Sequence, residues 1–311
     1  MTRWRATTPV RARAPVPEPA LSSSLGPRTA SPDAGSLSAW LGWARDALRR
    51  AGIDTARPEA ERLAAHALGV RWDELWARLR DPVDEPFAAT LRALVSRRCS
   101  PEPLAYAIGE AAFRGLTLEC GPGVLVPRPE TETLVDVGLE LVARVRRPVV
   151  ADVGTGSGAV ALAIAAARPD AVIAGTDVSH AALAYARDNR DRLGLNVAMV
   201  RGDLLGPLRA GLDLIVSNPP YVPRGRPDLL APDVRREPPE ALFAGEAGDE
   251  VLIRLVEAAP RWLTPEGALA LEVGTPVQAA EVTRRLSSWQ QLGVREDDWG
   301  RPRVVWARGP A

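Results

Sequence analysis

The chain has 311 residues, with 39 basic and 39 acidic side chains and a formal charge of zero. Its 46% hydrophobic content excludes wholesale disorder, and a length taken at roughly 150 residues per domain predicts about two domains. Balanced charge argues against a protein that coats nucleic acid by charge alone, while leaving a local basic patch open. The sequence contains no lysine, which removes Schiff-base chemistry and a Walker-type phosphate lysine. Cys99, Cys120, His66 and His180 lack the paired spacing of a zinc site, so no metal is expected. The two cysteines make no disulfide framework, which fits a reducing, cytoplasmic setting. No apolar run reaches the roughly 18 residues of a membrane helix. Nor does the N-terminus carry the apolar core of a secretory signal.

Residues 1–35 are rich in proline, arginine and serine and predict a disordered tail. A basic arm for RNA or ribosome contact is its functional reading, and a plain extension its simpler one. Helical spacing over Ser38–Gly52, Pro58–Leu68, Trp72–Leu79 and Pro86–Arg98 predicts a small helical domain over residues 36–100. Trp40, Trp43, Trp72 and Trp76 read as its core and packing residues. Residues 101–148 form a linking segment. Pro103–Gly109, Phe113–Glu119 and Val124–Val126 look strand-like there, ahead of a helix over Thr131–Arg144.

Strands and helices then alternate through residues 149–311. Strands are predicted at Val149–Val153, Val172–Thr176, Val197–Val200, Leu212–Val216, Gly267–Val273 and Val304–Ala307. Helices are predicted at Ala159–Ala167, Ser179–Leu193, Val251–Trp262 and Val277–Ser287. That alternation predicts a doubly wound α/β domain.

The first of these strands runs into Gly154-Thr155-Gly156-Ser157-Gly158, and a helix opens behind it. Glycines permit a sharp turn and a close ligand approach, and the helix start offers free amides. Asp177 ends the next strand, where a carboxylate accepts from both ribose hydroxyls. On spacing alone a dinucleotide-binding dehydrogenase remains open, since Gly154-x-Gly156-x-x-Ala159 fits that loose fingerprint. Asp152 just before the turn, and Asp203-Leu204 after the third strand, favour S-adenosylmethionine, with Asp203 placed to bind the adenine amino group.

The fourth strand ends in Asn218-Pro219-Pro220-Tyr221, at the same carboxyl edge of the sheet. An amide NH2 is a poor nucleophile because its lone pair is delocalised. The Asn218 side-chain oxygen and the Pro219 carbonyl each accept one N–H, turning the lone pair toward a methyl donor. Paired prolines stiffen the loop, and Tyr221 packs on the planar acceptor group.

These motifs resemble a known family. Asn218–Tyr221 alone is shared by N-methyltransferases acting on adenine, guanine and glutamine. The segment Val124-Leu-Val-Pro-Arg-Pro-Glu-Thr-Glu132 resembles the corresponding stretch of protein glutamine N5-methyltransferases. Pro103–Gly109, Asp152–Gly158, Glu237-Pro-x-x-Ala-Leu242, Leu271–Gly274 and Asp298-x-Gly-Arg-x-Arg303 continue the likeness across residues 36–307. With its helical N-terminal domain the whole resembles the peptide chain release factor N5-glutamine methyltransferases of the PrmC/HemK family.

The resemblance implies a Rossmann-like class I methyltransferase domain behind a small helical domain that contacts the release factor. It implies S-adenosyl-L-methionine bound by Gly154, Thr155, Gly156, Ser157, Gly158, Asp177, Asp203, Leu204 and Asn218. Asn218, Pro219, Pro220 and Tyr221 would hold the glutamine of the Gly-Gly-Gln loop of class 1 release factors, with Asn218, Pro219 and Tyr221 catalytic. Leu204 stands where some relatives carry an aromatic residue. Glu130 and Glu132 read as positioning residues at the pocket edge or as helix caps. No nucleic acid is required, a monomer is expected, and a ribosomal-protein glutamine or a nucleic-acid amino group is the alternative acceptor.

Overall fold

The computed structural model describes residues 31–32, 35–297 and 299–310. Most of the expected tail, and Asp298, lie outside the described residues. The chain opens with α1 (Leu37–Arg50), which lays Leu37, Trp40, Ala44, Ala47 and Leu48 into one core at helical spacing. Helix α2 (Ala56–Leu68) ends on Gly69, which takes the left-handed conformation of a helix stop. The expected third helix is a 3-10 turn over Trp72–Arg78 that buries only Leu75. This corrects the tryptophan reading. Trp40 is buried, whereas Trp72 and Trp76 are 50% and 43% exposed, because so short a turn gives the core only one position. Helix α3 (Glu85–Cys99) starts where the Asp84 side chain accepts from the Phe87 amide at 3.0 Å.

Pro103–Gly109 is a short helix, α4 (Leu104–Ile108), rather than a strand. So short an apolar run carries no period that separates the two. It joins the core of α1–α3 through Ala107. Phe113–Glu119 is not one strand but belongs to a hairpin, β1 (Glu110–Phe113) paired with β2 (Leu116–Glu119). Its turn is Arg114-Gly115, both at positive φ (47° and 75°), the backbone that twists two strands tightly together. Val124–Val126 is loop: its valines are apolar because they are buried, not because they pair in a sheet.

Helix α5 (Glu132–Leu141) leads to β3 (Val149–Val153), α6 (Ala159–Ala167), β4 (Val172–Asp177), α7 (His180–Leu193), β5 (Val197–Arg201) and β6 (Leu212–Ser217). A short α8 (Pro239–Leu242) and α9 (Glu250–Ala258) precede β7 (Leu263–Glu272), α10 (Pro276–Arg285), β8 (Gln291–Glu296) and β9 (Pro302–Arg308). Seven strands form one sheet in the order β5-β4-β3-β6-β7-β9-β8. The strands β3 to β7 are parallel, and β9 runs against both of its neighbours.

Side chains along each strand alternate between two cores. Val150, Leu214, Val216 and Ala268 face the layer of α5, α6 and α7. Ala151, Ile215, Leu269 and Leu271 face α9 and α10. The chain leaves β3 in one direction through β4 and β5, then returns to β6 on its other side. That reversal opens a crevice at the carboxyl ends of the strands, where doubly wound sheets hold their ligands.

Candidate active site

A cavity of about 300 Å³ occupies that crevice. Its floor is the turn after β3. Gly154, Gly156 and Gly158 all sit at positive φ (72°, 57° and 85°), a backbone that side chains resist. The Gly154 and Thr155 amides both donate to the Thr176 carbonyl, at 2.8 and 2.9 Å, which binds the turn to β4. Asp152 lies beneath, fully buried. Its Oδ2 accepts from the Thr155 hydroxyl at 2.6 Å and from the Ala161 amide at 3.0 Å. Burial pushes its carboxyl up to about 6, against the pull of those two donors.

Asp177 ends β4 at the cavity wall. Its two oxygens accept from the Gly156 amide at 2.9 Å and the Ser179 amide at 2.8 Å. Desolvation raises this carboxyl, and the amides oppose the rise. Gly154, Thr155, Gly156, Ser157, Asp177, Asp203, Leu204 and Asn218 all line the cavity. Gly158 is set back from it as the residue before α6. The Asp203 carboxylate is well exposed and pairs with Arg254 of α9 at the rim.

Asn218, Pro219 and Pro220 line the same cavity from the end of β6. A smaller cavity of about 130 Å³ adjoins it and shares Arg128, Asn218, Pro219 and Pro220 with it. Tyr221 lines only this second cavity and packs its ring over Gly274, where an added Cβ would come within 2.5 Å of it. Its phenol is pushed up to about 12 by burial and by the nearby Glu272 carboxylate.

Thr131 lines the large cavity and is 4% exposed. The Asn218 Nδ2 donates to Thr131 Oγ1 at 3.0 Å. Near Thr131 stands Glu272, at the end of β7, which is 1% exposed. Burial pushes Glu272 up to about 7, against Thr131 and the charges of Arg303 and Arg128. The second oxygen of Glu272, Oε2, is buried without a hydrogen-bond partner.

The neighbouring glutamates are placed otherwise. Glu132 accepts from the Arg114 amide at 2.8 Å and so holds the β1–β2 turn, and neither Glu130 nor Glu132 lines the cavity. Glu237 fixes the loop below: its carboxylate accepts from the Val126 amide at 2.9 Å and pairs with Arg128. Asn189 of α7 is completely buried and ties β2 to the glycine turn, through the Glu119 amide and carbonyl and the Ser157 carbonyl. Sequence reading passed over Thr131, Glu272 and Asn189. Thr131 stood between two more conspicuous carboxylates, and Glu272 inside an apolar strand.

Residues 39–109 match the PrmC N-terminal domain family, and residues 131–230 match the methyltransferase small domain family. A release factor glutamine methyltransferase of Deinococcus radiodurans is 41% identical over 84% of this chain and 94% of its own length. The chain belongs to the release factor glutamine methyltransferase family. The member from Mycolicibacterium smegmatis is also 41% identical, over 84% of this chain and 93% of its own. That from Mycobacterium tuberculosis is 39% identical over 84% and 87%. The hMettl16 catalytic domain, solved in complex with MAT2A 3'UTR hairpin 6, shares the fold at 14% identity and a TM-score of 0.51, covering 72% of this chain and 82% of that one. Among the described residues, no helix is long and apolar enough to cross a membrane.

Proposed function

We propose that this enzyme methylates the side-chain amide nitrogen of the glutamine in the Gly-Gly-Gln loop of class 1 release factors, with S-adenosyl-L-methionine as donor. One observation carries the reading: Asn218 and Pro219 line the same cavity as the glycine turn and Asp177. The lining suits that donor. Glycines without Cβ leave room at the turn, Asp177 offers a carboxylate to ribose hydroxyls, and Leu204, Val178 and Phe243 give apolar surface for a base. When bound, S-adenosylmethionine supplies an electrophilic methyl on a sulfonium.

The protein's own part is positioning. The Asn218 oxygen and the Pro219 carbonyl each accept one N–H of the substrate carboxamide. They orient its nitrogen and stabilise the positive charge that develops there. The N-methylated amide nitrogen is strongly acidic and gives its proton to water, so the lining needs no strong base. Tyr221 packs beside the substrate group. Residues 36–100 act as the recognition domain for the release factor, residues 101–148 link it, and residues 149–311 carry the chemistry. The setting is the cytoplasm, where release factors work.

The test is mass spectrometry of a release factor incubated with the protein and S-adenosylmethionine. One added methyl on the Gly-Gly-Gln glutamine is expected, and Asn218→Ala lowers the rate roughly a hundredfold or more. Label on nucleic acid instead, or undiminished turnover by Asn218→Ala, contradicts the reading.

A further inference from the structure

We propose that Arg98 is a positioning residue for the reaction, through which the helical domain sets one wall of the acceptor cavity. The inference rests on the reading that the substrate glutamine is held at Asn218 and Pro219. The small cavity beside those two residues is walled in part by Leu230 and Val234. Both belong to one excursion of the chain. It leaves β6 through Asn218–Tyr221 and closes on itself at a bridge between Val222 and Phe243. There the Val222 amide donates to the Leu242 carbonyl at 3.0 Å, and the Ala244 amide to the Val222 carbonyl at 3.1 Å. Residues 223–238 hold only two short 3-10 turns, at Pro227–Leu229 and Val234–Arg236. So long a segment without helix or strand does not fix its own position.

Two carboxylates pin it. Glu237 reaches the loop below Asn218, through the Val126 amide and Arg128. Asp233 reaches the helical domain. Its Oδ2 accepts from Arg98 Nη2 at 3.2 Å, while its Oδ1 accepts from the Val234 amide at 3.0 Å and starts the second turn. Val234 therefore follows wherever Asp233 is held.

Arg98 is built to stay still. Its side chain is 8% exposed. Nε and Nη2 fork onto Glu59 of α2 at 2.6 and 3.3 Å, and Nη1 donates to the Glu102 carbonyl at 3.1 Å. The planar guanidinium is fixed by these partners, so the helical domain sets the direction in which Nη2 meets Asp233. With that tie cut, Leu230 and Val234 are free to retreat from Asn218 and Pro219. The carboxamide is then held less closely against the methyl donor. The helical domain thus completes the acceptor cavity as well as gripping the release factor.

The test uses the full chain with a release factor and S-adenosylmethionine. Asp233→Ala removes the tie and leaves Arg98 on Glu59 and Glu102. Arg98→Lys keeps a charge for Glu59, but one nitrogen does not span all three partners. Each variant is expected to lower kcat on the order of tenfold, while KM for the release factor stays within a fewfold. S-adenosylmethionine affinity, read by calorimetry, also stays within a fewfold and reports an intact fold. The double variant Arg98→Lys/Asp233→Ala is no slower than the slower single one, because both cut one tie. Unchanged kcat in both variants overturns the proposal. So does a rise in KM alone, which would make the tie a brace of the docking surface, and so do losses that add in the double variant. In each case methylation by the wild type leaves the assigned reaction standing. A wild-type chain that leaves the glutamine unmethylated sinks the assigned reaction, and this role of Arg98 with it.

Discussion

Glu272 shows how one buried carboxylate weighs on stability. Its ordinary value is 4.5, and in the fold it takes up its proton at about 7. The folded chain therefore binds that proton more tightly than the unfolded chain does. Above pH 7 folding carries the full cost of the buried charge, and the cost fades as pH falls toward 4.5. Glu272→Gln is thus expected to be more stable than wild type near pH 8, by on the order of 3 kcal/mol, and to unfold at a higher temperature. The gap closes on acidification, and calorimetric scans across pH check it. A wild type more stable than Glu272→Gln at pH 8 would mean that its partners outweigh desolvation. Asp152, also buried under the turn and pushed up to about 6, belongs to the same class.

At the level of elements, the sequence was most legible where burial imposes a period. The strands β3 to β7 were found because they face two cores and read as apolar runs, with glycine or asparagine at the ends that form the site. The edge strand β8 was not found. Gln291–Glu296 carries no apolar run, since it is held by its ladder to β9 more than by burial. Val124–Val126 misled for the opposite reason: it is buried as a loop, and the carboxylate that fixes it, Glu237, lies 111 residues away. Local patterns do not reveal such partners. Asn189 is a second case, sitting in a helix yet joining the hairpin to the glycine turn. Asn189→Ala leaves the Glu119 and Ser157 backbone groups without these bonds. We expect a loss of about 2–4 kcal/mol in denaturant unfolding, with weaker S-adenosylmethionine binding in calorimetry. Wild-type values for both would show that the turn holds its own shape.

For the molecule as a whole, the helical cluster is tied to the sheet domain by charge as well as by chain. Arg98 of α3 is buried and donates to Glu59 of α2 at 2.6 Å and to Asp233, in the segment between β6 and α8, at 3.2 Å. Val234 and Leu230, beside Asp233, line the small cavity next to Asn218. The helical cluster and the mouth of the site are therefore held in one frame. A release factor gripped by the helical domain would present its loop to an already placed pair of acceptors, which limits the ordering left for binding. The most direct measurement is a structure of the full chain with S-adenosylhomocysteine and a release factor. The account predicts the Gly-Gly-Gln glutamine NH2 within hydrogen-bonding distance of both Asn218 Oδ1 and the Pro219 carbonyl, with Asn218 Nδ2 still on Thr131. An Asn218 side chain turned away, with no NH2 group in reach of it, would contradict the account.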